Sequence, residues 1–244
     1  MADPILEIGA AGLETTDEKV KSLVNRMVNA ETPGFKSSDV SVRSFPLELE
    51  SAQQRIGSQK PAVDGTYYDH SQGTLIRTGK PTDLALESSG FFVVSCPWGE
   101  GYTRDGRFTV DKDGRMVSTV GNYPLLSNSG PVVVDPNIPI SISEIGELKQ
   151  DTTSLGKIRV VDFSDKQALE SVNGVIFRDP SKTAAANEIS NPQIIQGFIE
   201  GSNAKAVDQM VDLIQLSRIY NMDAKIVSVR DGIMTKANEI GKMQ

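Results

Sequence analysis

Several clusters of residue types in this chain hold the ingredients of chemistry. Tyr67-Tyr68-Asp69-His70-Ser71 sets a carboxylate, an imidazole and a hydroxyl side by side, as a hydrolytic triad would need. A triad requires those side chains to converge, whereas neighbours in an extended segment point to opposite faces. His70 is therefore expected at a surface or on an edge strand. Cys96 closes an apolar run, and the single histidine is not near it in sequence. Without a partner to lower its pKa the thiol is expected to be a packing residue. Asp111-Lys112-Asp113-Gly114 is like the start of a calcium loop, but the third acidic ligand and the closing glutamate are missing. It is expected to be a hairpin turn. Gly99-Glu100-Gly101 misplaces the third glycine of a dinucleotide fingerprint, and no helix opens after it. No catalytic residue, metal site, cofactor or small-molecule substrate is expected.

Composition narrows the field further. A chain of 244 residues suits one large domain or two modest ones. A net charge of −7 gives no electrostatic footprint for nucleic acid. One cysteine precludes an intrachain disulfide and a cysteine-built structural zinc site. No apolar run approaches the roughly 20 residues of a membrane span, so membrane insertion is not expected. The opening Met1-Ala2-Asp3-Pro4 lacks the basic and apolar regions of a cleaved signal, so conventional secretion is not expected either.

The elements that must position these residues fall into three stretches. Leu6, Leu13, Val20 and Met27 recur every seventh position, a helical rhythm running from Ile5 to about Asn29 with a possible break near Gly12. Pro33-Gly34 stops it. From about Leu75 to Phe163 short apolar runs such as Gly90–Cys96 alternate with turn residues, the pattern of an antiparallel sheet. Asp105-Gly106 and Asp113-Gly114 are expected to turn hairpins of type I′. Between these stretches Val40 and Val42 alternate like a strand, while Leu49, Gln53 and Ile56 are spaced like a helix. Near the end, Ala206, Met210, Leu213, Tyr220, Ala224, Val227 and Met234 keep a heptad rhythm. Ile219, Met222, Ile226, Val229 and Ile233 add a second seam beside it. Two adjacent seams make an apolar face too broad for one neighbouring helix to cover, which is a signal of assembly.

The expected fold class is α+β: terminal α-helices pairing as a coiled coil around a central all-β antiparallel domain. The expected division is an amino-terminal helix over 1–33, a partly structured linker over 34–65 and a β-rich domain over 66–177. A connector over 178–195 and a carboxy-terminal helix over 196–244 complete it.

Three motifs together resemble the rod and hook proteins of the bacterial flagellum. The first runs from Asn25 through Asn29 to Thr32-Pro33-Gly34-Phe35-Lys36. The second comprises Gln72-Gly73-Thr74-Leu75, Thr78-Gly79, Asp83-Leu84-Ala85-Leu86, Gly90-Phe91-Phe92 and Tyr102-Thr103-Arg104-Asp105-Gly106. The third is Glu200-Gly201-Ser202-Asn203 with Met210, Ile214, Gln215, Arg218, Tyr220 and Lys225. Arg26, where the family commonly has asparagine, is a departure.

The resemblance implies a non-enzymatic structural subunit of the basal-body rod, in which paired terminal helices stack into a helical, torque-transmitting axial tube. It implies as partners copies of the same chain, other rod and hook proteins and the flagellar type III export machinery. The implied location is the periplasmic rod, reached without signal cleavage. A hook or hook-junction protein of the same axis is the alternative. A small β-domain enzyme whose helices merely dimerise it is a reading of another class, resting on Asp69-His70-Ser71.

Overall fold

The computed structural model describes residues 4–46, 59–180 and 184–241, and opens with helix α1, Pro4–Val28. The helix runs unbroken through Gly9 and Gly12, although each glycine costs about 1 kcal/mol of helix propensity. What they provide is closeness. A Cβ on Gly9 would lie 2.7 Å from Val227 Cγ2, and one on Gly12 would lie 3.6 Å from Asp223 Oδ2. Both neighbours belong to helix α2, Ala206–Gly241. A step forward along α1 is thus a step back along α2, and the two run antiparallel in contact. At 36 residues α2 is about 54 Å long.

These helices share one structural unit with strands β1, Ser38–Pro46, and β2, Gln59–Tyr68. The strands pair antiparallel from Ser38 opposite Tyr68 to Pro46 opposite Gln59, with a bulge after Ser41. Helix α1 packs on both. Leu23 is fully buried, and Ser22 Oγ donates to the Ser38 carbonyl at 2.8 Å. Within the stretch expected to be a partly structured linker, the described residues 38–46 and 59–65 thus belong to a two-stranded ribbon. Its sign in the sequence was the Val40/Val42 alternation; Leu49, Gln53 and Ile56 lie outside the described residues.

The second unit comprises Asn29–Ser37 and Asp69–Ala204. Its centre is a six-stranded antiparallel sheet in the order Glu170–Ser171, Ile176–Arg178, Gly99–Thr103, Phe91–Cys96, Val160–Phe163, Ala186–Glu188. Phe91 to Val94 are all buried, because both faces of this strand are covered. Phe91 meets the rings of Phe163 and Phe177 on one side, while Phe92 meets Phe108 on the other. The apolar core extends through Met116, Leu125, Ile158 and Ile176.

Three expectations about this unit are corrected. Asp105-Gly106 turns no hairpin: Gly99–Thr103 pairs with Phe91–Cys96 and Ile176–Arg178, whereas Phe108–Val110 pairs with Met116–Ser118. The glycine is there because a Cβ would fall 1.5 Å from the Leu84 carbonyl oxygen. Asp113-Gly114 does lie in a hairpin turn, but not one of type I′: Gly114 is left-handed at φ +76° and Asp113 is not, and Gly114 N–H donates to the Asp111 carbonyl at 3.1 Å. The stretch 178–195 holds strands Ala186–Glu188 and Ile194–Gln196. The first is exposed along its length, so it needs no apolar residues and reads as a connector. Finally, strand Phe198–Glu200, paired with Leu75–Arg77, precedes α2, which starts at Ala206 rather than at 196.

Candidate functional site

Asp69 and Ser71 bond to each other, while the His70 imidazole faces the Lys166 carbonyl and two aromatic rings. His70 Nε2 donates to the Lys166 carbonyl at 3.1 Å, and the imidazole stands edge-on to Phe91 and Phe177. It is half-buried among rings rather than on the surface. Burial, with the Lys36 charge nearby, lowers its pKa to about 4. Ser71 Oγ donates to Asp69 Oδ2 at 2.9 Å, so the hydroxyl serves a local turn. Cys96 is buried in the core and its thiol is pushed up to about 11 by desolvation. Asp111 Oδ1 accepts from the backbone N–H groups of Asp113 and Arg115, which closes the hairpin turn. Among the described residues no group of acidic, His and Cys side chains is placed to hold a metal.

Chemistry of another kind lies where the motif residues converge. Within the second unit, Glu200 is wholly buried. Its Oε1 accepts from Lys36 Nζ at 2.6 Å and from the Gly73 N–H at 2.9 Å, and its Oε2 accepts from Arg104 Nη1 at 3.1 Å. Lys36 also donates to the Ser71 carbonyl, and Arg104 to that of Ser88, with its guanidinium 5.8 Å from the Phe91 ring centroid. Burial pulls the Lys36 ammonium below the usual lysine range, and the Glu200 carboxylate opposes this.

Around this ion triad the backbones interlock. Gly34 N–H donates to the Glu200 carbonyl at 2.8 Å, and Ser37 N–H to Asn203 Oδ1 at 2.8 Å. Asn203 Nδ2 donates to the Asp69 carbonyl at 2.7 Å. Ser202 Oγ accepts from Ala204 N–H, and Thr32 Oγ1 donates to Asn29 Oδ1. Phe35 enters the apolar core. Gly34, at φ +72°, is obligatory, since a Cβ would meet the Asp105 nitrogen at 2.2 Å. The family motif residues Asn29, Thr32, Pro33, Gly34, Phe35, Lys36, Ser202 and Asn203 thus lie in one segment or the other of this junction, while Asn25 lies in α1. Sequence reasoning singled out neither Glu200 nor Arg104. Each stood inside a quoted motif, but nothing in a one-dimensional pattern pairs residues so far apart.

The expected assembly stripe divides in two. Leu13, Val20, Met27, Leu213, Ala224 and Val227 are partly buried, with Val227 beside Gly9. Ala206, Met210, Tyr220 and Met234 are exposed. Leu6 lies in α1 with its side chain outside the described residues. The second seam is open throughout: Ile219, Met222, Ile226, Val229 and Ile233 are 43% to 58% exposed. Met222, Ile226, Val229 and Ile233 line an apolar groove flanked by Lys225 and Arg230. Among the described residues no helix is long and apolar enough to cross a membrane.

Comparison with known proteins bears on both features. Residues 195–240 match the family model described as flagellar basal body rod FlgEFG protein C-terminal, and residues 85–150 match that of the flagellar hook protein FlgE/F/G D1 domain. The chain is 30% identical over 227 residues to the flagellar basal-body rod protein FlgF of Caulobacter vibrioides, covering 92% of each chain. It is 28% identical to FlgF of Escherichia coli, over 97% of this chain and 96% of that one. Its identity to the rod protein FlgG of Bacillus subtilis is 25%, over 93% and 94%.

Proposed function

The chain belongs to the family of flagellar basal-body rod proteins, as a structural subunit of the rod, and from that membership we propose how it assembles. Helices α1 and α2 pair as a coiled coil to form the inner, axial part of the subunit, and the β-rich unit carries the outer part. The assembly interface is the stripe on α1 and α2 named above together with the second seam of α2. Its partners are further copies of the chain and other flagellar axial proteins. Relatives named as rod proteins over nearly full length favour the rod over the hook or hook-junction alternative. In this reading the chain passes through the flagellar type III export machinery, takes its place in the periplasmic rod and transmits torque without catalysing a reaction.

The observation that carries the proposal is the row of apolar side chains left exposed along α2. Fully burying such a side chain contributes roughly 1.5–3 kcal/mol, so covering several half-exposed ones stabilises a subunit contact by several kcal/mol. Patches that repeat without closing on themselves build an open filament rather than a ring. The test is Met210→Asp or Leu213→Asp in the flagellated cell. The expected result is loss of rod assembly and motility with the β-rich unit still folded. Wild-type motility in both variants would overturn the reading.

A further inference from the structure

We propose that Glu200 is a latch residue, whose carboxylate fastens the incoming segment 29–37 and the outgoing segment 200–204 to each other, so that the β-rich unit holds both of its chain ends whether or not α1 and α2 have found a neighbour. The proposal goes beyond the rod reading and does not depend on it.

The geometry points to a latch rather than to ordinary core packing. Three donors from three separated parts of the chain, Lys36, Gly73 and Arg104, meet on one carboxylate with no solvent exposure. A buried ion group adds little net stability over apolar packing, because desolvation offsets the attraction. What it does impose is a large penalty on any state in which one partner is missing, since the remaining charges stay buried and unpaired. Closure is therefore all-or-none.

The backbones are shaped for the same purpose. Gly34 N–H bonds to the Glu200 carbonyl, and a Cβ on Gly73 would meet the Gly201 carbonyl oxygen at 2.0 Å. The segments thus lie backbone to backbone, closer than side chains would allow.

The test is amide hydrogen exchange on the dilute, full-length protein, resolved by peptide. In the wild type, 29–37 and 200–204 are expected to exchange as slowly as strand Phe91–Cys96; fast exchange there would overturn the proposal. Glu200→Gln is expected to speed exchange roughly 100-fold or more in 29–37, 69–74 and 200–204, while Phe91–Cys96 stays slow. If Glu200→Gln does not fold, Lys36→Met decides, because it leaves Glu200 with Arg104 and Gly73. It should speed exchange in 29–37, 69–74 and 200–204 together while Phe91–Cys96 stays slow, since Gly201 N–H and Asn203 N–H bond to the Thr74 and Phe35 carbonyls. Unchanged exchange in 29–37, or loss of protection in Phe91–Cys96 together with it, would sink the latch: the first shows that the ions hold nothing, the second that they serve global stability alone.

Discussion

Lys36 Nζ stands 2.6 Å from Glu200 Oε1 although 164 residues separate them, and both side chains are almost wholly shielded from water. The contact unites the two family motifs that lie farthest apart in the chain. It also marks a division of labour: charge is buried where the β-rich unit closes, and apolar surface is left open on the helix that follows.

The open surface can be altered without touching the fold. Ile233, about half exposed on α2, meets water on one side in the single chain. Ile233→Asp should change the stability of the monomer by no more than about 0.5 kcal/mol, as surface substitutions do. Sedimentation should then show a monomer that no longer polymerises or joins a rod. Polymerisation at wild-type concentrations would remove the second seam from the interface.

Gly106 offers the opposite case. A methyl group there would fall 1.5 Å from the Leu84 carbonyl oxygen, which is backbone and cannot swing aside. Gly106→Ala should therefore destabilise the β-rich unit by at least about 2–3 kcal/mol, read from its urea midpoint. A midpoint within error of the wild type would refute the close approach.

In α1 the balance is finer. Gly9→Ala gains about 1 kcal/mol of helix propensity but sets a methyl 2.7 Å from Val227 Cγ2, on a β-branched side chain with little freedom to move. The single variant should show little gain in helical circular dichroism or thermal midpoint. Gly9→Ala combined with Val227→Ala should exceed Val227→Ala alone by roughly that amount. Equal gains in both backgrounds would mean that the helices do not meet at this point.

His70 supplies a pH dependence. Its folded pKa of about 4 lies below the ordinary 6.5, because burial and then the Lys36 charge disfavour the imidazolium. The unfolded chain takes up a proton first as pH falls, so this stability is fully present above about pH 6.5 and is lost towards pH 4. Solvent screening at a half-buried site holds the effect to about 1 kcal/mol between pH 7 and 5. His70→Phe, which keeps a ring against Phe91 and Phe177, should flatten the change in urea midpoint over that range. An equal slope in variant and wild type would assign the dependence to other groups.

Much of this was legible in the residues. Heptad spacing located both helices because each carries an apolar stripe, partly covered on α1 and largely open on α2, and the unbroken Gly90–Cys96 run located a strand covered on two faces. Asp105-Gly106 misled because a hairpin dipeptide is a local signal, and here a close approach to Leu84 claims the glycine instead. Strand Ala186–Glu188 left no trace because an exposed edge strand buries nothing. The heptad seam of α2 was visible as apolar, yet only contact with α1 separates Val227 from the exposed Met210. The ion triad was the least legible feature, since Lys36, Arg104 and Glu200 each look like one more surface charge until topology brings them together.

A chain that emerges from a ribosome, amino-terminus first, releases Lys36 long before Glu200 follows. Over that whole interval the ammonium has no carboxylate to receive it, and the β-rich unit lacks its last strand, Phe198–Glu200. Completion of the β-rich unit therefore waits until about four-fifths of the polypeptide has emerged.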